Sequence, residues 1–95
     1  MKLIVTRHDA AAEFIRKRLP EFTDAPVYKE ASEDLVRDNE VAGNLPANLA
    51  ALTARYIAIE YPVGKAPRGQ EYTLQDMENA GAMLVEYKIQ RVQDW

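Results

Sequence analysis

The sequence predicts a single small α/β domain in which a mostly parallel sheet carries helices on both faces. Three observations lead there. Short apolar, β-branched runs alternate along the chain with segments of helical spacing, and the connections between them are short. Tyr56-Ile57-Ala58-Ile59 is apolar at every position, as a strand covered on two sides must be. The 95 residues leave little spare chain beyond one domain, so the whole span 1–95 is read as one unit.

The elements follow in order. Leu3-Ile4-Val5 reads as a buried strand that ends at Thr6-Arg7-His8-Asp9. Asp9 is placed to cap a helix whose apolar face is Ala11, Phe14, Ile15 and Leu19, and Pro20 stops it. Pro26-Val27-Tyr28-Lys29 is a second strand. Glu30 to Asn39 is acidic and polar, a connector with room for one helical turn around Leu35 and Val36. Glu40-Val41-Ala42-Gly43 is a third strand running into Asn44-Leu45-Pro46, where proline opens a helix carrying Leu49 and Leu52. After the central strand comes the long loop Tyr61 to Tyr72. Thr73 with Asp76 then forms a capping-box variant, and Gly81 ends the short helix it opens. The final stretch alternates, with Met83, Val85, Tyr87 and Ile89 opposed to Glu86, Lys88 and Gln90, which predicts a half-exposed strand near a sheet edge. The order β-α-β-(turn)-β-α-β-α-β gives a small Rossmann-like layer structure.

Composition narrows the function. A formal charge of -3 and the lack of a basic stripe argue against binding duplex nucleic acid or an anionic membrane. With no cysteine and one histidine, neither disulfides, thiolate chemistry nor a His/Cys zinc site is expected, and no metal or cofactor is assigned. There is no Walker-type loop and no GxGxxG. Ser32, the only serine, lies in the acidic connector, which disfavours a serine triad. The start of the chain does not read as a signal peptide, and no apolar run approaches the ~20 residues of a membrane span, so a cytoplasmic location is expected. A core this small makes a homodimer reasonable.

Ligands of open parallel sheets sit outside the carboxyl ends of the strands. Three loops leave such ends here: Thr6 to Asp9, Gly43 to Pro46 and Tyr61 to Tyr72. Together they place Thr6, Arg7, His8, Asn44, Lys65, Arg68 and Glu71 at one edge, beside two helix N-termini whose free N–H groups favour anions. That is a phosphate site in outline. Each residue also has a plainer reading. Arg7 can be a surface ion-pairing residue, His8 a structural histidine, Gly43 a packing glycine, and Arg68-Gly69 an ordinary turn. Tyr61 and Tyr72 are the tyrosines placed to stack on a base.

Thr6-Arg7-His8 after the first strand resembles the Arg-His signature of the histidine phosphatases. That family needs a second histidine and a much longer chain, and here Asp9 stands where it usually has glycine, so the reading fails. A second resemblance spans nearly the whole chain. Thr6-Arg7-His8, Gly43-Asn44-Leu45-Pro46-Ala47-Asn48-Leu49-Ala50, Pro67-Arg68-Gly69-Gln70-Glu71, and Gly81-Ala82 followed by Val85-Glu86-Tyr87-Lys88 resemble a family of small Csx-type CRISPR-associated proteins, ancillary to type III systems.

The resemblance implies a CARF-like fold and ring nuclease activity, the metal-independent cleavage of a cyclic oligoadenylate messenger, with cyclic tetra-adenylate as the expected ring. It implies catalytic roles for Arg7, His8 and Arg68. Thr6, Gly43, Asn44, Leu45, Lys65, Gly69 and Glu71 are then the ligand-binding residues. Histidine is the side chain that titrates near neutrality, which makes His8 the candidate general acid or base. A symmetric polyanion suits a homodimer with the crevice at or across the two-fold. Two other readings stay open: a non-catalytic protein that sequesters the same messenger, and a protein-interaction module with an acidic surface.

Overall fold

The computed structural model describes residues 1–68 and 71–95. Five strands form one sheet: β1 (Lys2–Val5), β2 (Val27–Tyr28), β3 (Glu40–Gly43), β4 (Arg55–Glu60) and β5 (Met83–Tyr87). Their spatial order is β2-β1-β3-β4-β5. Every pairing is parallel except β4 with β5, which is antiparallel. The helices are α1 (Asp9–Arg18), α2 (Glu33–Val36), α3 (Ala47–Ala50) and α4 (Leu74–Asn79), with a 3-10 turn at Pro20–Phe22. The expected α/β layering is what the chain adopts.

Strand alternation sorts the core into two faces. Ile4, Ala42, Ile57 and Ile59 meet Phe14 and Ile15 of α1, Phe22, and Met77 of α4. Leu3, Val5 and Val41 meet Val36 of α2, with Leu45, Leu49 and Leu52 packed against them. A smaller group on this second face joins Ala50, Tyr56 and Ala58 to Leu45 and Ile89. Beyond it, toward β5, no helix covers the sheet among the described residues, and an open groove of about 1150 Å³ lies between α3, Tyr87 and Ile89.

Three local expectations change. Asp9 is not a cap: His8 is the N-cap residue, no side chain bonds there, and Asp9 is the first helical residue, where its charge still suits the helix dipole. The helix after Pro46 is one turn long and stops before Leu52. There the chain tightens, with Leu52 N–H donating to Leu49 and the Thr53 hydroxyl donating to the Ala50 carbonyl. A single turn has little dipole, so of the two helix N-termini expected at the carboxyl edge only that of α1 is substantial. The last strand sits at the sheet edge as expected, and it runs antiparallel. The capping box is present: Thr73 Oγ1 accepts from Asp76 N–H, and an Asp76 carboxylate oxygen accepts from Thr73 N–H.

Candidate functional site

The order β2-β1-β3 reverses direction at β1, so the topological switch point lies between β1 and β3, where such sheets hold ligands. Gly43 makes this junction possible. Its φ is +137°, and a Cβ there would stand 1.9 Å from the Val5 carbonyl oxygen. That oxygen instead accepts a hydrogen bond from Asn44 N–H at 3.2 Å. What Gly43 provides is close approach of β3 to β1.

The loop after Gly43 is fastened from below. The Tyr56 hydroxyl accepts from Leu45 N–H at 3.0 Å and donates to the Gly43 carbonyl at 3.4 Å. The Leu45 amide is therefore turned inward, and Leu45 contributes an apolar wall. An open crevice of about 440 Å³ results, lined by Arg7, Lys29, Glu30, Asn44, Leu45 and Pro46 among others. Its charged lining is two cations against one carboxylate. Arg7 spans it, with Nε donating to the Lys29 carbonyl at 3.4 Å and Nη2 to Glu30 Oε1 at 3.3 Å. Both partners of this ion pair are more than two-thirds exposed, so water competes for it and an anionic ligand can displace Glu30.

Arg7 and His8 part company here. Strand alternation carries Arg7 to the face of Leu3 and Val5. The His8 ring lies against Tyr72, with centroids 4.6 Å apart. Thr6 is buried and braces the turn, its Oγ1 accepting from His8 N–H at 3.2 Å. Tyr61 belongs to the same flank of the edge. Its hydroxyl is buried without a partner among the described residues, and burial, with Tyr72 adding to it, pushes it above the usual phenol range. Burial raises Tyr72 too.

Arg7, Asn44 and Leu45 are thus brought together. Thr6 and Gly43 shape the crevice from behind, and His8 faces the opposite layer. Lys65, Arg68 and Glu71 are exposed in the loop before α4 and do not line the crevice, while Gly69 falls outside the described residues. The sequence reading missed Lys29 and Glu30. It followed three strand ends and passed over the fourth, although Lys29 directly follows β2 and so occupies the same edge.

Among the described residues no cluster of His, Asp or Glu suits a metal ion, and no helix is long and apolar enough to cross a membrane. The class is therefore a doubly wound α/β domain with a cation-lined crevice at its switch point. Residues 3–90 match the family model described as "Putative CRISPR-associated protein (Cas_VVA1548)". The chain belongs to this CRISPR-associated family. Neither the curated proteins nor the solved structures contain a match.

Proposed function

We propose that this CRISPR-associated protein binds a cyclic oligoadenylate, with cyclic tetra-adenylate as the expected ring, and opens it without a metal. The observation that carries the reading is Arg7, held by an exchangeable ion pair over an open crevice at the sheet's switch point. Arginine's fixed charge and planar fork suit a phosphodiester oxygen. Lys29 adds a second cation, and Asn44 offers an amide to phosphate or ribose.

In the proposed reaction a ribose 2′-oxygen forms a bond to the adjacent phosphorus while the bond to the 5′-oxygen breaks. The 2′-OH proton leaves to a base, and the departing 5′-oxygen takes one up. The products are a 2′,3′-cyclic phosphate and a free 5′-OH. The chain's part is to align the 2′-oxygen and to stabilise charge on the phosphate. Arg7 supplies that charge from one face of the sheet edge. His8 is the proposed proton-transfer group, acting from the other face on a macrocycle wide enough to lie across the edge. Arg68, in the exposed loop before α4, is the second proposed stabiliser, and Thr6, Lys65, Gly69 and Glu71 complete the proposed contacts.

Incubation of the pure protein with labelled cyclic oligoadenylates in EDTA, at enzyme concentrations below substrate, tests the reading. Linear products ending in 2′,3′-cyclic phosphate are expected. A protein that neither binds nor cuts any ring size refutes it. The sequestering alternative draws support from one observation, the turning of His8 away from the Arg7 crevice. Tight binding without products would establish it.

A further inference from the structure

The two edges of the sheet are built differently. β2 is two residues long and is flanked by Pro26 and Lys29, which blunt it against further pairing. β5 is five residues long, contains no proline or glycine, and is followed directly by Lys88-Ile89. Its outer backbone groups have no partner strand among the described residues. Met83 and Tyr87 expose about two-fifths of their surface, on the same uncovered face as Val85. An unpaired edge with exposed apolar side chains is one that sheet proteins either protect or use.

We propose that β5 pairs antiparallel with β5 of a second copy, with Tyr87 on the two-fold axis. The strand's own sequence favours this register. Antiparallel pairing about Tyr87 sets Glu86 opposite Lys88 of the partner subunit, and by symmetry makes the same pair twice. Glu86 has an oxygen to spare, since Arg55 Nε donates to Oε1 alone and the side chain is 57% exposed. Lys88 forms no ion pair of its own among the described residues. The same register places Val85 beside Ile89 of the partner subunit on the sheet face of Tyr56 and Ala58, so each covers apolar surface of the other. The product is a continuous ten-stranded sheet, five strands from each copy.

This arrangement fixes where the crevices go. The switch point lies two and a half strand spacings from β5, roughly 12 Å, and the two-fold reverses strand direction. The two Arg7 crevices then open at opposite edges of the joined sheet, each serving its own ligand, in place of one crevice shared across the axis. The pairing rests on the edge strand and is independent of what the crevice binds.

The chain has no cysteine, so a single introduced thiol reports the register cleanly. The full chain carrying Tyr87→Cys, oxidised at micromolar concentration, should run as a disulfide-linked dimer, because position 87 meets itself at the axis. Met83→Cys, opposite residue 91 in this register, should stay unlinked. Light scattering should show the wild-type chain as a dimer, and Lys88→Glu, which sets two glutamates against each other twice, should weaken association about tenfold. A wild-type monomer overturns the proposal. So does a wild-type dimer whose Tyr87→Cys variant fails to cross-link, or cross-linking equally efficient at position 83.

Discussion

Gly43 and Arg7 show how single residues divide between building the edge and using it. At Gly43 the left-handed backbone and the Val5 carbonyl act together, since any Cβ is both strained and too close to a backbone atom. Gly43→Ala should cost roughly 3–5 kcal/mol, seen as a fall in melting temperature of more than about 10 °C. An alanine variant as stable as wild type would show that β3 can withdraw from β1 at little cost. Arg7, exposed and held only by Glu30 and a carbonyl, should behave oppositely. Arg7→Ala should leave the melting temperature within a few degrees and weaken ligand binding, by roughly 1.5–3 kcal/mol for a lost charge-assisted contact. For His8→Ala, binding should persist while single-turnover cleavage slows by ~10²–10⁴. An unchanged rate would remove histidine from the mechanism and leave the 2′-OH to be deprotonated by solvent.

Among the elements, α4 is the one whose start is written most clearly in the sequence. Thr73 and Asp76 satisfy each other's backbone N–H groups, and the helix they open buries Met77 completely. Thr73→Ala should cost about 1 kcal/mol and lower the melting temperature by about 4–8 °C. Thermal unfolding followed by circular dichroism reads this directly, and an unchanged midpoint would show that Met77 alone positions α4. The start of α1 was less legible. Asp9 is a good capping residue by type, yet the chain leaves β1 so abruptly that His8 takes the cap position and Asp9 enters the first turn. The helix after Pro46 was over-read for a related reason. Leu49 and Leu52 have helical spacing, and a single turn followed by a tight bend places both on the same core face.

At the scale of the whole molecule, the end of the sheet away from the crevice is tied by charge. Arg55 reaches Glu21 at 2.7 Å, Glu86 at 2.8 Å and Glu40 at 3.5 Å, so β3, β4, β5 and the 3-10 turn meet on one guanidinium. Lys2 closes the group at 3.1 Å from Glu40. The hydrogen bond from Lys2, with Arg55 adding to it, holds the Glu40 carboxyl below its usual range. A carboxylate depressed in the folded state adds stability above its unfolded pKa, about 4.3 for glutamate, and that stability is lost as pH falls through the folded value. Urea midpoints should therefore drop as pH is lowered from about 5 toward 3, and Glu40→Gln should flatten that drop. Equal slopes for the two chains would show that Glu40 contributes no acid sensitivity.

The sequence determined the kind and order of the strands and helices, because alternation and helical spacing are properties of near neighbours. It also determined the family's likeness and the edge at which Thr6, Arg7, His8 and Asn44 gather, because parallel strands carry their following loops to one end. It did not determine what faces what. Arg7 and His8 are adjacent in the chain, so alternation sets them on opposite faces, but their partners, Glu30 for Arg7 and Tyr72 for His8, come from distant parts of the chain. Lys29 and Glu30 entered the crevice because β2 lies beside β1, a pairing between residues more than twenty positions apart. The Tyr56 hydroxyl beneath the Gly43-Leu45 turn is likewise a contact between neighbouring strands. Local pattern encodes elements; the partner that each side chain meets is decided by packing between elements, and that exists only in the folded chain.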